Sequence, residues 1–106
     1  MRILFDQGTP VPLRRYLPGH SIDTAYERGW SELANGNLLS KAEQEGYELL
    51  VTTDRNLRYE QNLEGRQIAI AVLTTTSWPR IKQQTDCVQS AIDAIQPGGY
   101  QEIPIE

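Results

Sequence analysis

The chain of 106 residues is poor in the side chains on which many protein sites are built, with one cysteine and one histidine. The single cysteine, Cys87, excludes an internal disulfide and a cysteine-based metal site. Its place on the helical pattern TDCVQSAI favours plain packing over reactivity. The single histidine, His20, does not end a predicted strand. We therefore expect it to be structural, which disfavours a ribonuclease with histidine acid–base catalysis.

Long apolar runs and targeting patterns are also missing. No run approaches the roughly 20 residues of a membrane-spanning helix, and the opening MRILF lacks the order of a signal peptide. We therefore expect a cytoplasmic protein without a membrane partner. The glycines form neither a phosphate-binding loop nor a dinucleotide fingerprint, which disfavours a nucleotide cofactor.

A strong positive charge is absent as well, since the net charge is −4. This disfavours a general nucleic-acid binder, whose footprint is basic. The segment 51–82 is locally basic, and most cations are arginines, which suit bidentate phosphate contacts. An ordinary solvated surface is the alternative reading. The length and the 39% hydrophobic content indicate a single domain over residues 1–106.

The hydrophobic pattern alternates between strands and helices. We predict strands at 2–5, 20–26, 47–53, 67–73 and 100–105, and helices at 10–17, 37–45, 57–63 and 81–95. The alternation indicates an α/β fold with a mainly parallel sheet. Three side chains are candidate helix caps: Thr9, followed by Pro10 at the first helical position, Asn35 and Asn56.

Two aspartates follow predicted strands, in ILFDQG and VTTDRNL. Asp6 and Asp54 would meet at the carboxyl ends of a parallel sheet, where ligands gather. Two facing carboxylates repel each other unless a proton or a cation intervenes. Mg²⁺ or Mn²⁺ suits such oxygen ligands and can activate water against a phosphodiester. A capping role is the alternative, although Thr9 and Asn56 are available as caps.

The order of these motifs resembles a known family. MRILFDQGTP, then GH-S-I-D, then NGNLLSKAEQEGYELLVTTDRNL resemble the small PIN-like proteins of bacteria and archaea, over roughly residues 1–73. The resemblance implies a three-layer α/β/α sandwich. It also implies metal-dependent RNA cleavage, commonly as the toxin of a toxin–antitoxin pair with a small partner protein, and a possible homodimer.

The resemblance assigns the acidic site position by position. Asp6 and Asp54 match the family's aspartates and would be catalytic and hold the metal. Asn35 and Asn56 stand where the family commonly has acidic residues, and would be supporting oxygen ligands or orienting groups. An amide carries no charge, so these two changes weaken metal affinity and make a two-metal arrangement less favourable.

Other side chains could contact RNA. Arg55 and Arg58 follow Asp54 closely and would hold phosphates, and Arg14 would extend that groove. The aromatic side chains Trp30, Tyr26 and Tyr59 could stack on unpaired bases, with ordinary packing as the alternative.

Two functions remain open from the sequence. The first is a Mg²⁺-dependent PIN-like ribonuclease, for which the family resemblance implies the role of toxin in a toxin–antitoxin pair. The alternative is a catalytically weakened PIN-like module that binds RNA or a partner protein, because two of the four expected carboxylates are amides.

Overall fold

One five-stranded sheet forms the centre of the protein. The structure is a computed structural model that describes residues 1–106, the side chain of Glu60 excepted. The strands are β1 (Arg2–Phe5), β2 (Ser21–Thr24), β3 (Leu49–Thr52), β4 (Ala69–Leu73) and β5 (Tyr100–Ile103). They lie in the order β2-β1-β3-β4-β5, and every neighbouring pair is parallel. The predicted α/β class and parallel sheet are confirmed.

The strand order reverses direction between β1 and β3. The chain passes from β1 outward to β2, then crosses back and adds β3, β4 and β5 on the other side. Phe5 is level with Thr24 on one side and with Val51 on the other. In parallel sheets, a crevice opens at such a reversal, beyond the carboxyl ends of the strands. The two predicted site aspartates follow the two strands that flank this crevice.

The helices cover both faces of the sheet. Two α-helices, α1 (Asn35–Gln44) and α2 (Leu57–Glu60), contribute to one core cluster. A 3-10 helix (Val11–Tyr16) and the helices α3 (Trp78–Lys82) and α4 (Thr85–Ala94) contribute to the other. This arrangement has the three layers of an α/β/α sandwich.

Successive residues of the central strands alternate between the two cores. Ile3 and Phe5 join the core beneath the 3-10 helix, whereas Leu4 joins the core beneath α1. All four residues of β3 and all five of β4 are buried. Strands covered on both faces favour such continuous apolar sequences, which is why LLVT and AIAVL are recognisable in the sequence.

The boundaries of several elements differ from the prediction. The 3-10 helix begins at Val11 rather than at Pro10. The predicted last helix is two helices, because Gln84 has φ −129° and ψ 28°, outside the helical region. The hydrophobic spacing continues across this break, so periodicity alone did not reveal it.

Two further observations concern the single cysteine and the character of the helices. Cys87 lies exposed on α4, so the prediction that it packs in the core is wrong. No helix in the described part of the chain combines the length and the apolar character required to cross a membrane.

Candidate functional site

A buried threonine joins the two aspartates. The Thr52 hydroxyl donates to Asp6 Oδ2 at 2.8 Å and accepts from the Asp54 backbone N–H at 3.1 Å. Thr52 is the last residue of β3 and is fully buried. The structure therefore brings the Asp6 carboxylate and the Asp54 backbone together at the reversal of the strand order, through the hydroxyl at the end of β3.

Asp6 is held by a tight turn. Its backbone N–H donates to the Val51 carbonyl, and its own carbonyl accepts from the Thr9 N–H, both at 2.9 Å. Its Oδ1 atom accepts from the Gln7 N–H at 2.8 Å. The Thr9 hydroxyl is buried and donates to the Val51 carbonyl at 2.8 Å. The prediction that Thr9 caps the following helix is wrong, because its side chain ties the turn to β3 instead.

Asp54 organises the start of α2. Its Oδ1 accepts from the Asn56 N–H at 3.0 Å, and its carbonyl accepts from the Leu57 N–H at 3.4 Å. The Asn56 side chain is exposed and makes no capping hydrogen bond, so its predicted capping role is wrong. The expectation that both aspartates lack a structural task is also wrong, since each carboxylate accepts two hydrogen bonds from the protein.

Asn35 contacts the site directly. It is the first residue of α1 and does not cap it, because Ala34 occupies the cap position. Its Nδ2 atom donates to Asp54 Oδ2 at 2.8 Å. The NH₂ group, not the amide oxygen, therefore faces the carboxylate. Metal ligation by Asn35 would require the amide to turn and give up this hydrogen bond.

The two loops that carry the aspartates approach each other closely at Gly8. A Cβ atom added there would lie 2.6 Å from Thr53 Oγ1, closer than van der Waals contact permits. The space between the Asp6 turn and the end of β3 therefore accepts only glycine without rearrangement.

The donor set bears on the metal that the family resemblance implies. Among the described residues, no group of three or more His, Cys, Asp or Glu side chains could hold a metal ion. Mg²⁺, however, is usually bound through one or two carboxylates together with water and substrate phosphates. Asp6 and Asp54 would supply the two carboxylates to one such ion. They do not fit a two-metal arrangement, which needs further carboxylates.

The three predicted RNA-binding arginines have different surroundings. Arg55 is exposed beside Asp54 and belongs to none of the ion pairs found among the described residues. Arg58 stacks over the rings of Tyr59 and Tyr100, with its Cζ atom 4.7 and 5.4 Å from their centroids. Both side chains keep a positive charge near the end of β3.

Arg14 lies on the 3-10 helix and is paired with an acid. Its Nη2 atom is 2.5 Å from Glu27 Oε1. The hydrogen bond from Arg14 is the main cause of a lowered pKa of the Glu27 carboxyl, followed by the Thr24 N–H. Because Glu27 offsets its charge, Arg14 is less available to a phosphate than Arg55 is.

An open cleft adjoins Asp6. Its volume is about 360 Å³, and its lining consists of Asp6, Gln7, Thr9, Val11, Thr24, Tyr26 and Glu27. A larger cleft of about 450 Å³ lies at the amino-terminal ends of the strands, where Met1, Glu48 and Ala69 contribute to its lining. Position relative to the aspartates, rather than size, makes the first cleft part of the candidate site.

His20 stands away from the aspartates. Its Nε2 atom is 2.8 Å from Asp93 Oδ1. His20 directly precedes β2 and so lies at the amino-terminal end of this strand. Trp30 is buried against Tyr47 with a ring-centroid distance of 6.0 Å. Neither side chain belongs to the candidate site.

Sequence reasoning missed the links that assemble the site. The hydrogen bond from the Thr9 hydroxyl to the Val51 carbonyl joins residues 42 positions apart. The hydrogen bond from Asn35 to Asp54 joins residues 19 positions apart. The one local signal is the threonine pair before Asp54, of which Thr52 is buried and Thr53 half-buried. This signal is weak, because β-branched residues suit strands regardless of function.

Comparisons of the chain with models of protein families, with curated proteins and with solved structures find no match. The family resemblance of the motifs is therefore a basis for proposals only.

Proposed function

We propose that this chain is a PIN-like domain that cleaves RNA phosphodiesters with one Mg²⁺ or Mn²⁺ ion held by Asp6 and Asp54. The observation that carries the proposal is the Thr52 hydroxyl, which hydrogen-bonds both to the Asp6 carboxylate and to the Asp54 backbone. The Asp6 carboxylate and the Asp54 backbone are thereby linked beside the crevice of a parallel sheet, where ligands bind.

Each residue has a defined task in this proposal. The bound ion would polarise the phosphodiester and favour deprotonation of an attacking water. Thr52 orients the Asp6 carboxylate, and the Asn56 N–H orients that of Asp54. Arg55, exposed beside Asp54, would bind a neighbouring phosphate of the RNA strand.

The biological setting is proposed from the motif resemblance alone. In that setting the domain is the toxin of a toxin–antitoxin pair in the cytoplasm, a small antitoxin-like protein is its partner, and it can form a homodimer. Copurification with the product of a small adjacent reading frame would test the partner.

RNA cleavage with added Mg²⁺ or Mn²⁺ tests the metal site. We expect Asp6→Asn and Asp54→Asn each to lower the rate by about 100-fold or more, since metal activation contributes several kcal/mol to transition-state stabilisation. Asp86→Asn is the matched control, because Asp86 is exposed on α4. It should cleave like the wild type. Equal rates in all four proteins would refute the assignment.

A specific observation favours a second candidate, a module that binds RNA or a partner protein without cutting. The Asn35 NH₂ group already donates to Asp54 Oδ2, and so offsets part of the charge that a cation would balance. Such a site is stable without metal and has less need of one.

Calorimetric titration with Mg²⁺ separates the two candidates. Asn35→Asp places a third carboxylate beside Asp54, so the variant should bind Mg²⁺ more tightly than the wild type. If the wild type binds Mg²⁺ at millimolar or lower concentration and Asp6→Asn abolishes this binding, the nuclease is favoured. If only Asn35→Asp binds the ion, the binding module is favoured.

A further inference from the structure

The cleft beside Asp6 carries an unusual share of the exposed apolar surface. Large hydrophobic side chains exposed among the described residues are Val11, Tyr26, Leu33 and Tyr59, and the first two of these line the cleft. Val11 is 53% and Tyr26 77% exposed. Exposed apolar groups that converge on one concave site indicate a ligand surface more strongly than isolated ones do.

Most polar groups of the cleft are already satisfied within the protein. The Thr9 hydroxyl donates to the Val51 carbonyl, and the Thr24 hydroxyl accepts from the Glu27 N–H at 3.0 Å. The Glu27 carboxylate accepts from Arg14 and from the Thr24 N–H. The Gln7 side chain is exposed and has no hydrogen bond to another described residue. Its amide is therefore the polar group that the cleft offers most freely.

The charge of the cleft decides which part of an RNA strand fits it. Asp6 and Glu27 are acidic and line the wall, so a phosphate would be repelled there. A neutral base has no such penalty. The Gln7 amide has both a donor and an acceptor, which is the pattern that base edges recognise.

The size of the cleft agrees with this occupant. Its volume of about 360 Å³ lies at the lower end of the range of about 300–1,000 Å³ that holds small ligands. That is enough for one base and too little for a folded protein element. An exposed aromatic ring such as Tyr26 provides the flat apolar surface on which an unpaired base stacks.

We infer that this cleft holds one unpaired nucleobase of the RNA strand, stacked on Tyr26 and hydrogen-bonded to Gln7. The inference rests on the proposed function for the identity of the strand. The site requires an unpaired base, because a base within a duplex has no free face to offer the tyrosine.

The test measures binding without cleavage. Tetraadenylate is titrated in the presence of EDTA and followed by two-dimensional NMR, with ribose 5-phosphate as a probe that lacks a base. Tyr26→Ala should weaken tetraadenylate binding by about 10-fold, in line with stacking energies at aromatic residues. Tyr26→Phe retains the ring and should bind like the wild type. Ribose 5-phosphate should not shift the signals of Tyr26.

Leu33→Ala is the matched control, because Leu33 is also an exposed apolar side chain and does not line the cleft. It should bind within about 2-fold of the wild type, as expected for an exposed side chain outside the site. If Tyr59→Ala loses binding and Tyr26→Ala does not, the base binds beside Arg58 and the inference is overturned. Equal binding by Tyr26→Ala and wild type also overturns it. Thermal unfolding of each variant checks that the fold is intact.

The two proposals fail separately. If the wild type does not cleave RNA but binds tetraadenylate through Tyr26, the base site stands and the nuclease assignment falls. If cleavage depends on Asp6 while Tyr26→Ala binds and cleaves like the wild type, the nuclease stands and the base site falls.

Discussion

At the scale of single residues, Thr52 has the largest structural role in the candidate site. It is fully buried, and its hydroxyl bonds with two different segments, the Asp6 carboxylate and the Asp54 backbone. A buried hydroxyl without partners would be costly, whereas this one is satisfied as both donor and acceptor. The residue thus stabilises the fold and aligns the site through the same atom.

Replacing Thr52 by valine keeps the shape and removes both hydrogen bonds. We expect the free energy of unfolding to fall by about 1–3 kcal/mol, because the Asp54 N–H and the Asp6 carboxylate each lose a partner. Denaturation in urea measures the change. Thr53→Val is the control, since no hydrogen bond of the Thr53 hydroxyl is found among the described residues, and its cost should stay within about 0.5 kcal/mol. Equal losses in the two variants would contradict the role given to Thr52.

At the scale of elements, the site is assembled by the loops that follow β1 and β3. The strands are neighbours, so their loops leave the sheet side by side. Gly8 allows the first loop to pass against Thr53. Helix α1 then places Asn35 against Asp54 from the other side. Three separate stretches of chain therefore determine the geometry of one carboxylate pair.

Alanine at Gly8 should disturb this contact. The added Cβ would lie 2.6 Å from Thr53 Oγ1, and we expect a loss of about 1–3 kcal/mol, as for other overpacked sites. In the double variant with Thr53→Ala, much of this loss should be regained, because the obstructing atom is gone. Urea denaturation of the single and double variants measures the coupling.

Gly36→Ala provides the comparison. Its added Cβ would meet Gln61 Oε1 at 2.7 Å, but that atom ends a flexible side chain and can move away. Gly36 also lies within α1, where alanine is favoured over glycine by up to about 1 kcal/mol. We expect an unchanged or higher stability. A loss as large as that of Gly8→Ala would show that the distance alone does not explain the effect.

At the scale of the whole molecule, two cores cover the faces of a parallel sheet. The buried Tyr47 belongs to one of them, and the half-buried Tyr100 packs against the same core. The Tyr47 hydroxyl donates to Asp23 Oδ2. Burial, then the contact with Asp23, raises the pKa of Tyr47, and burial, then Glu102, raises that of Tyr100. The Tyr100 hydroxyl is buried and has no hydrogen-bond partner among the described residues. The folded state therefore favours the neutral form of both side chains.

The raised pKa values of Tyr47 and Tyr100 in the folded state predict a loss of stability in alkali. A raised pKa in the folded state contributes stability that is fully present below the unfolded pKa of about 10 and is lost as the pH rises through the folded pKa. Guanidinium denaturation between neutral and strongly alkaline pH measures the fall. Tyr47→Phe and Tyr100→Phe should each reduce the steepness of this fall. A pH profile unchanged by both substitutions would contradict the assignment.

The same two variants differ at neutral pH. Tyr47→Phe should cost about 1 kcal/mol, because Asp23 loses a hydrogen bond. Tyr100→Phe removes a buried hydroxyl without a partner, so its stability should be equal to or above that of the wild type.

Much of the fold was predictable because its signals are local. Strand β1 occurs where predicted, and β4 is the apolar run that a doubly covered strand requires. The failures lie where a distant partner competes with a local rule. Thr9 has the chemistry of a helix cap, but its hydroxyl bonds with β3. Asn56 has the same chemistry, but at the start of α2 it is the Asp54 carboxylate that accepts a hydrogen bond, from the Asn56 N–H.

The sequence by itself determined the α/β class, the parallel sheet and the two aspartates at strand ends. These depend on residue type and spacing, which act within a few positions of the chain. The tertiary structure alone decided that β1 and β3 are neighbours, that Thr52 bridges their aspartates and that Asn35 presents its NH₂ group to Asp54. The reason is physical: a hydrogen bond between residues far apart in sequence depends on the packing of the whole sheet, which no short segment specifies.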